Sequence, residues 1–355
     1  MATNLAIKYS SNLLSVWTKA SILAGKLTDE YDFVGVRTVR IYSIVTVDLQ
    51  NYDRTAVTGY RFGTLSEVQD EVQEVTLTQD KAFNLSIDRG NASDQLDIKK
   101  AGKVLRQQME EKVTPTTDKY GLDKIAKLGG KTVVLGATTS TSNIVGYLAT
   151  AEVEMVNNNV PEEGRYAYFG ATEYNKLRLS SEFMAVDKLA EDSLGRGVKG
   201  TVLSFNIVRV PDSYMPADAS FIIIHKTSAQ MPFKLKTLRI LSEDSAVDGW
   251  LIQGRFYYDA FVLGKRATGI YTALVNGSTK LVATPVITPT GASHAVTCAT
   301  GGASIYYTLD GSDPRYSLTR VLYASAVTLT SGQTIKACAI KADMWGSAVQ
   351  SAYYA

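Results

Sequence analysis

The chain has 355 residues, of which 45% are hydrophobic and 20% charged, the balance of a folded protein with room for two or three domains. With 37 basic and 35 acidic residues its formal net charge is +2, which gives no overall attraction to nucleic acid or membranes. Two cysteines are too few for a disulfide scaffold. No apolar run of about 18 residues and no secretory signal are evident, so we expect cytoplasmic synthesis and no membrane partner.

The first quarter of the chain predicts a long antiparallel hairpin. Residues 1–31 mix short apolar stretches with lysines and serines, which predicts one or two short terminal helices. A β-branched run over 33–49 predicts the rising strand. Apolar residues then alternate with polar ones: Val75, Leu77, Phe83, Leu85 and Ile87. Period two predicts half-buried strands, with the hairpin tip between about 51 and 74.

A helix is predicted directly after the hairpin. Apolar residues recur there at spacings of three and four: Ile98, Ala101, Leu105 and Met109. This spacing predicts an amphipathic helix, and the polar side chains of residues 91–94 offer N-terminal caps. We expect the helix to end at Pro115, because proline removes a helix hydrogen bond.

From 131 to about 271 the pattern is that of a mixed α+β body. Strands are predicted at 132–135, 165–169, 202–210, 221–224 and 250–263, and a helix from Thr172. Residues 195–200 match a dinucleotide-binding spacing, but helix-like sequence precedes them and a strand follows, so we predict a plain turn.

The residues needed for catalysis or metal binding are missing. The two histidines, His225 and His294, lie too far apart in the sequence for a two-histidine zinc motif, and His225 is predicted to be structural. We find no phosphate-binding loop and no nucleophile elbow. We therefore expect no enzyme activity and no catalytic, cofactor or metal site.

The sequence changes character after a short polar linker at 273–284. Short alternating strands separated by Gly, Pro and Asp turns predict an all-β sandwich over 285–355. Asp310 and Gly311 predict a tight hairpin turn with positive φ. By alternation Cys298 shares a face with Val296 and Cys338 with Lys336, so we predict free thiols rather than a bridge between sheets.

Several short phrases, in this order, resemble tailed-bacteriophage major capsid proteins of the Hong Kong ninety-seven-like fold. They are Tyr-Asp-Arg at 52–54, Leu-Thr-Gln-Asp-Lys at 77–81, Phe-Asn-Leu-Ser-Ile-Asp-Arg at 83–89, Val-Thr-Pro at 113–115, Asp-Lys-Tyr at 118–120 and Lys-Ile-Ala at 124–126. The resemblance implies an α+β capsid domain over 1–272. Its parts would be an N-arm (1–31), an extended β-hairpin loop (32–90), a spine helix region (91–130) and an axial and peripheral body (131–272). The arm would lie along an adjacent subunit; the alternative is a terminal helix docked on its own domain.

The phrase Tyr-Thr-Leu-Asp-Gly-Ser-Asp-Pro at 307–314 resembles the small immunoglobulin-like module at the C-termini of chitobiases and many bacterial surface enzymes. This resemblance implies a display domain without chemistry of its own. Exposed aromatic residues would be candidates for contact with host or environmental glycans: Tyr316, Tyr323 and Trp345. The alternative is that these aromatic rings complete a small core.

Together the resemblances imply a major capsid protein in the virion, assembling in the host cytoplasm as pentamers and hexamers into an icosahedral shell around double-stranded DNA. A separate scaffolding protein and a portal would be partners. Charged residues near the hairpin tip are candidates for contact between subunits: Arg54, Arg61, Glu67, Asp70, Glu71 and Glu74. The alternative for the acids is a solvated loop.

Two other functions stay open at this point. A tail-tube protein with the same appended module would need a shorter chain before the linker and no spine helix. A carbohydrate-binding surface protein is suggested by the C-terminal module alone.

Overall fold

A computed structural model describes residues 21–31, 33, 37–44, 49, 51–52, 54–55, 61–62, 70–89, 100–180, 201–242 and 248–354. The chain divides into two compact units, one comprising Met1–Gly35 with Leu77–Ser278 and the other Val36–Thr76 with Thr279–Ala355. The predicted helix caps at 91–94 and the turn at 195–200 lie outside the described residues. Within the described part of the chain, no helix is long and apolar enough to span a membrane.

In the described part of the chain, thirteen strands precede residue 279: β1 Thr38–Ile44, β2 Asp70–Thr76, β3 Gln79–Asp88, β4 Lys131–Val134, β5 Arg165–Gly170, β6 Thr201–Val202, β7 Phe205–Val210, β8 Ala219–His225, β9 Ala229–Gln230, β10 Phe233–Leu241, β11 Gly249–Tyr258, β12 Phe261–Val262 and β13 Ile270–Leu274. Seven follow it: β14 Val286–Thr290, β15 Ser293–Thr297, β16 Ser304–Thr308, β17 Val321–Leu322, β18 Val327–Thr328, β19 Thr334–Ile340 and β20 Gln350–Tyr353. The helices are α1 Ala101–Gln108, a π turn Met109–Val113, α2 Thr114–Lys127, α3 Ile144–Asn157 and α4 Ala171–Arg178, with 3-10 turns at Asp212–Tyr214 and Gly264–Gly269.

The centre of the first unit is a six-stranded mixed sheet in the order β4-β13-β8-β5-β7-β6. Its inner strands are buried along most of their length, which explains their nearly continuous apolar sequences. Helices α3 and α4 supply Ile144, Leu148, Met155 and Leu177 to the same core as the sheet. The predicted α+β body is confirmed.

A second sheet in this unit has the order β10-β11-β3, with both pairs antiparallel. Ile87 of β3 and Ile252 of β11 form a small core, against which Val104 and Leu105 of α1 pack. The alternating stretch 83–87 therefore pairs with β11, a strand more than 150 residues later in the sequence, and not with the strands next to it in the sequence. Strand β10 was not predicted; it is an edge strand with mostly exposed side chains, and its short apolar alternation changes face between Leu235 and Leu238.

The long helix, which we define as residues 101–127, does not end at Pro115, and that prediction was wrong. The backbone N–H of Thr114 donates to the carbonyl of Met109, five residues earlier, and so closes a π turn. This wider turn places Pro115 in the first turn of α2, where a missing N–H leaves no helix hydrogen bond unmade.

In the second unit, β1 and β2 form an antiparallel pair whose register runs from Thr38 opposite Thr76 to Ile44 opposite Asp70. We define the hairpin as β1, β2 and the residues between them. Its returning strand, β2, lies mostly within the stretch predicted as the tip, whereas most of the alternating stretch predicted as the return forms β3, which pairs with β11. The rising strand is shorter than the predicted 33–49.

The C-terminal domain, residues 285–355, is a sandwich of a three-stranded sheet (β14-β15-β18) and a four-stranded sheet (β17-β16-β19-β20). Val296, Leu329, Ile335 and Ala337 form its core. The all-β prediction is confirmed. Gly311 has φ of 78°, as expected, but no tight hairpin follows, because β16 continues into a long loop at 309–320 before pairing with β17.

Candidate assembly surface and the residues that shape it

Five of the six predicted contact residues are described. They are Asp70, Glu71 and Glu74 in β2, and Arg54 and Arg61 nearer the tip, while Glu67 lies outside the described residues. Glu74 already has a partner in its own chain, since Arg40 Nε donates to it at 2.9 Å across the hairpin. This exposed pair adds little stability. Because Glu74 already contacts Arg40 of its own chain, it is a weaker candidate for contact with another subunit.

Exposed apolar side chains on the hairpin are a stronger feature, and the sequence analysis did not single them out. Tyr42 and Ile44 are 66% and 64% exposed on β1, and Phe62 near the tip is 84% exposed. By strand alternation Tyr42 and Ile44 share one face of β1, while Ile41 points to the other and is buried. Contiguous exposed apolar surface is typical of contact sites, so these side chains are candidates for contact with another subunit. The sequence signal for this surface was strand alternation, which places Tyr42 and Ile44 on the face of β1 opposite to Ile41.

Thr78, which lies between β2 and β3, is held by a buried carboxylate. Asp259, which follows β11, is almost completely buried and accepts hydrogen bonds from the backbone N–H and the hydroxyl of Thr78 at 3.0 and 2.8 Å. Helix α2 reaches the same carboxylate through the Tyr120 hydroxyl at 2.6 Å and Lys124 Nζ at 2.5 Å. Burial raises the pKa of Asp259, but these hydrogen bonds outweigh it and the net pKa is lowered.

This cluster explains three of the phrases that carry the capsid resemblance. Thr78 belongs to the phrase at 77–81, Tyr120 to the phrase at 118–120 and Lys124 to the phrase at 124–126. All three side chains meet at Asp259, a residue that sequence reasoning missed. A lone aspartate after a long strand gives no local signal, because its partners lie more than a hundred residues earlier in the chain.

Asp118, the first residue of the phrase at 118–120, binds the N-terminal segment at residues 21 and 22. Asp118 accepts hydrogen bonds from the Ser21 hydroxyl at 2.7 Å and the Ile22 backbone N–H at 2.8 Å. Ile22 is buried, and Thr28 forms a bridge with Gln230. Residues 21–31 therefore dock on their own unit. The predicted arm comprised residues 1–31; its described part follows the alternative of docking on its own domain, and residues 1–20 lie outside the described residues.

His225 has the surroundings of a structural residue, as predicted. Its Nε2 donates to the Glu163 carbonyl at 2.9 Å, which leaves Nδ1 to accept from the Thr227 hydroxyl at 3.0 Å. Burial is the main reason that the pKa of His225 is lowered. Among the described residues no group of three or more His, Cys, Asp or Glu side chains is placed to hold a metal ion.

In the C-terminal domain the motif at 307–314 fixes the shape of loop 309–320. Asp310 accepts hydrogen bonds from the Ser312 backbone N–H at 3.0 Å and from the Thr319 hydroxyl at 2.5 Å. The Thr308 hydroxyl donates to the Ser312 carbonyl at 2.7 Å. One aspartate thus ties the beginning of the loop to its end.

The three predicted glycan-contact aromatics are not exposed rings. Trp345 is only 1% exposed, so its prediction as an exposed contact residue was wrong. Tyr323 packs against the core, and its hydroxyl accepts from the Val296 N–H at 3.0 Å. Tyr316 is partly buried beneath the guanidinium of Arg315, 5.3 Å from the ring centroid. A small domain needs these large side chains to complete its interior. Both cysteines are free, and Cys338 is buried.

Comparison with solved structures identifies the fold. A structure titled Mycobacterium phage Che8 has a TM-score of 0.62 and 20% identity, covering 77% of this chain and 98% of that one. The capsid structure of cyanophage P-SCSP1u has a TM-score of 0.62 and 14% identity, covering 78% of this chain and 94% of that one. The mature capsid of bacteriophage PhiM1 has a TM-score of 0.59 and 14% identity, covering 78% and 93%.

Sequence comparison adds the C-terminal domain. No curated protein matches the chain, but residues 288–351 match the family model described as chitobiase/beta-hexosaminidase C-terminal domain. The chain therefore has the Hong Kong ninety-seven-like fold seen in phage capsids, followed by an immunoglobulin-like domain of the chitobiase/beta-hexosaminidase C-terminal type.

Proposed function

We propose that this chain is the major capsid protein of a tailed bacteriophage, assembling as pentamers and hexamers into the icosahedral shell that encloses double-stranded DNA. The observation that carries the proposal is the shared fold: two structures titled as phage capsids match over 94% and 93% of their own length. Its place is then the virion. Its role is structural, with no catalytic step.

The hairpin supports self-association. A two-stranded hairpin is at best marginally stable alone, and this one exposes Tyr42, Ile44 and Phe62. Burial of these side chains against another copy of the chain would remove them from water. Many such modest contacts, repeated around a closed shell, sum by multivalency.

The remaining partners are part of the same proposal. Packaged DNA lies inside the shell, and a scaffolding protein and a portal take part in assembly. The C-terminal domain is displayed on the outside. Adhesion to glycans through Trp345 is not part of the proposal, because that ring is buried.

Electron microscopy of the purified full-length protein, expressed alone and with a scaffolding protein, tests the function. Closed shells or sheets of hexamers support it. Stacked rings or tubes would indicate a tail tube instead, and a monomer under every condition would contradict self-assembly.

A pair of variants tests the role of the hairpin. Ile44→Asp places a charge on the exposed apolar face of β1 and is expected to reduce the yield of closed shells at least tenfold while leaving the subunit folded. Val286→Asp is the matched control, because Val286 is also exposed, at 59%, but lies in β14. Equal loss of shells in both variants would contradict the assignment of the hairpin face.

A further inference from the structure

The free edge of β2 is occupied at one point. Strands β1 and β2 form a two-stranded sheet, so β2 has one edge that β1 does not cover. On that edge Gln73 forms an antiparallel bridge with Ser317 of the C-terminal domain. Beside it, the Leu318 backbone N–H donates to the Val72 carbonyl at 3.2 Å. The contact is therefore the beginning of a third strand, and hairpin and domain belong to one compact unit.

The segment that makes this contact is held in place by its own domain. The Ser317 side chain is buried although it is polar; its hydroxyl lies 2.8 Å from that of Thr319 and accepts the Thr319 N–H at 3.2 Å. Thr319 in turn donates to Asp310, the aspartate of the motif. Arg315 and Asp313 form a partly buried ion pair at 2.7 Å in the same loop. The loop thus presents residues 317–318 in a fixed shape, at no further ordering cost on contact.

We propose that the C-terminal domain braces the hairpin of its own chain by adding loop 309–320 to the free edge of β2. The bridge at Gln73 lies at the middle of β2, opposite Ile41 of β1, so it constrains the paired strands of the hairpin midway along their length. The consequence for assembly rests on the proposed function: a hairpin ordered before it meets a neighbouring subunit loses less freedom on binding. The domain then acts in assembly as well as in display.

A designed disulfide tests the contact in the full-length protein. Directly opposed residues of an antiparallel pair have Cα atoms about 4.5–5.5 Å apart, within the range of disulfide geometry. Gln73→Cys combined with Ser317→Cys is therefore expected to form an intrachain disulfide under mild oxidation. Detection is by mass spectrometry of the linked peptides and by non-reducing electrophoresis at monomer mass.

The matched control is Glu74→Cys with Ser317→Cys, because Glu74 is the next residue of β2 and its side chain points to the opposite face. The single variants account for the native thiols of Cys298 and Cys338. We expect at least tenfold more intrachain linkage in the designed pair than in the control. Equal yields, or a band at dimer mass, would overturn the intrachain brace.

A backbone variant gives a second, independent measurement. Leu318→Pro removes the N–H that donates to Val72, whereas Leu318→Ala keeps it. Hydrogen exchange of peptides from β2 is expected to accelerate about fivefold in the proline variant only, the effect of losing one ordinary hydrogen bond. Unchanged exchange in Leu318→Pro would overturn the proposal.

Electron microscopy of the same samples separates this proposal from the proposed function. Shells without the disulfide would leave the capsid function standing and remove the brace. The disulfide in a protein that forms no shells would support the brace and contradict the capsid function.

Discussion

Replacing Asp259 by alanine is the sharpest test of the cluster that joins Thr78 to α2. The variant leaves five donor groups without their acceptor: the N–H and hydroxyl of Thr78, the Tyr120 hydroxyl, Lys124 Nζ and the Ala260 N–H. Removal of one partner from a buried ion pair costs about 3–5 kcal/mol. Lys124 is 30% exposed, so water recovers part of this loss and places the expected cost near the lower end, about 3 kcal/mol.

The measurement is native-state hydrogen exchange of peptides from α2 in the unassembled protein, which reports the opening free energy of this region. Asp123→Ala is the matched control, since Asp123 pairs with Lys127 on the same helix at 2.9 Å with both side chains about 40% exposed. Its expected effect is below about 0.5 kcal/mol. If Asp259→Ala changed the opening free energy no more than Asp123→Ala does, the buried cluster would not hold this helix.

The same carboxylate makes a prediction about pH. Its pKa is lowered in the folded state, so the stabilisation it provides is complete above the unfolded pKa of about 3.9 and is lost as the pH falls through the lower folded pKa. The difference between wild type and Asp259→Ala is therefore constant from neutral pH down to about 5 and shrinks in stronger acid. A difference that vanished already at pH 6 would assign the effect to another group.

Three further outcomes follow from single contacts. Asp118→Ala removes the acceptor of Ser21 and Ile22 and is expected to increase proteolysis within residues 21–31, with Asp123→Ala unchanged; equal cleavage would contradict the anchor. His225→Gln is expected to flatten the loss of stability below about pH 6.5, because a lowered histidine pKa gives stability that is present above about 6.5 and lost as the pH falls; an unchanged slope would exclude His225 as its source. Burial raises the pKa of the Cys338 thiol to about 12, so alkylation at pH 8 is expected to label Cys298 first, and mass spectrometry showing equal labelling would contradict the burial of Cys338.

Local patterns predicted most of the elements because each depends on neighbours in the sequence. The strand at 221–224 is an uninterrupted apolar run and lies in the middle of the six-stranded sheet. Pro115 was misjudged for a physical reason: the rule that proline ends a helix assumes hydrogen bonds four residues apart. A π turn shifts the bonds to five and lets the helix continue.

The candidate assembly surface was harder to predict, because exposure depends on what lies opposite each face. Residue type does not distinguish Ile41, which is buried, from Ile44, which is 64% exposed; only their placement on opposite faces of β1 does. The charged residues near the tip were predicted as contacts between subunits because their acids cluster in the sequence. One of them, Glu74, instead pairs with Arg40 of its own chain. Period-two register, applied to apolar residues on the polar face of a predicted hairpin, would have identified Ile44.

The C-terminal motif shows how a resemblance can identify a domain without explaining its use in this chain. The phrase at 307–314 implied a tight turn, whereas its aspartate closes a long loop by accepting from Thr319. Closure of that loop is what brings Leu318 to the edge of β2. A residue that the motif places for the stability of one domain therefore also orders an edge of the hairpin, and Asp310→Ala is expected to loosen both. If exchange in β2 stayed slow while loop 309–320 opened, the hairpin would be ordered without the domain.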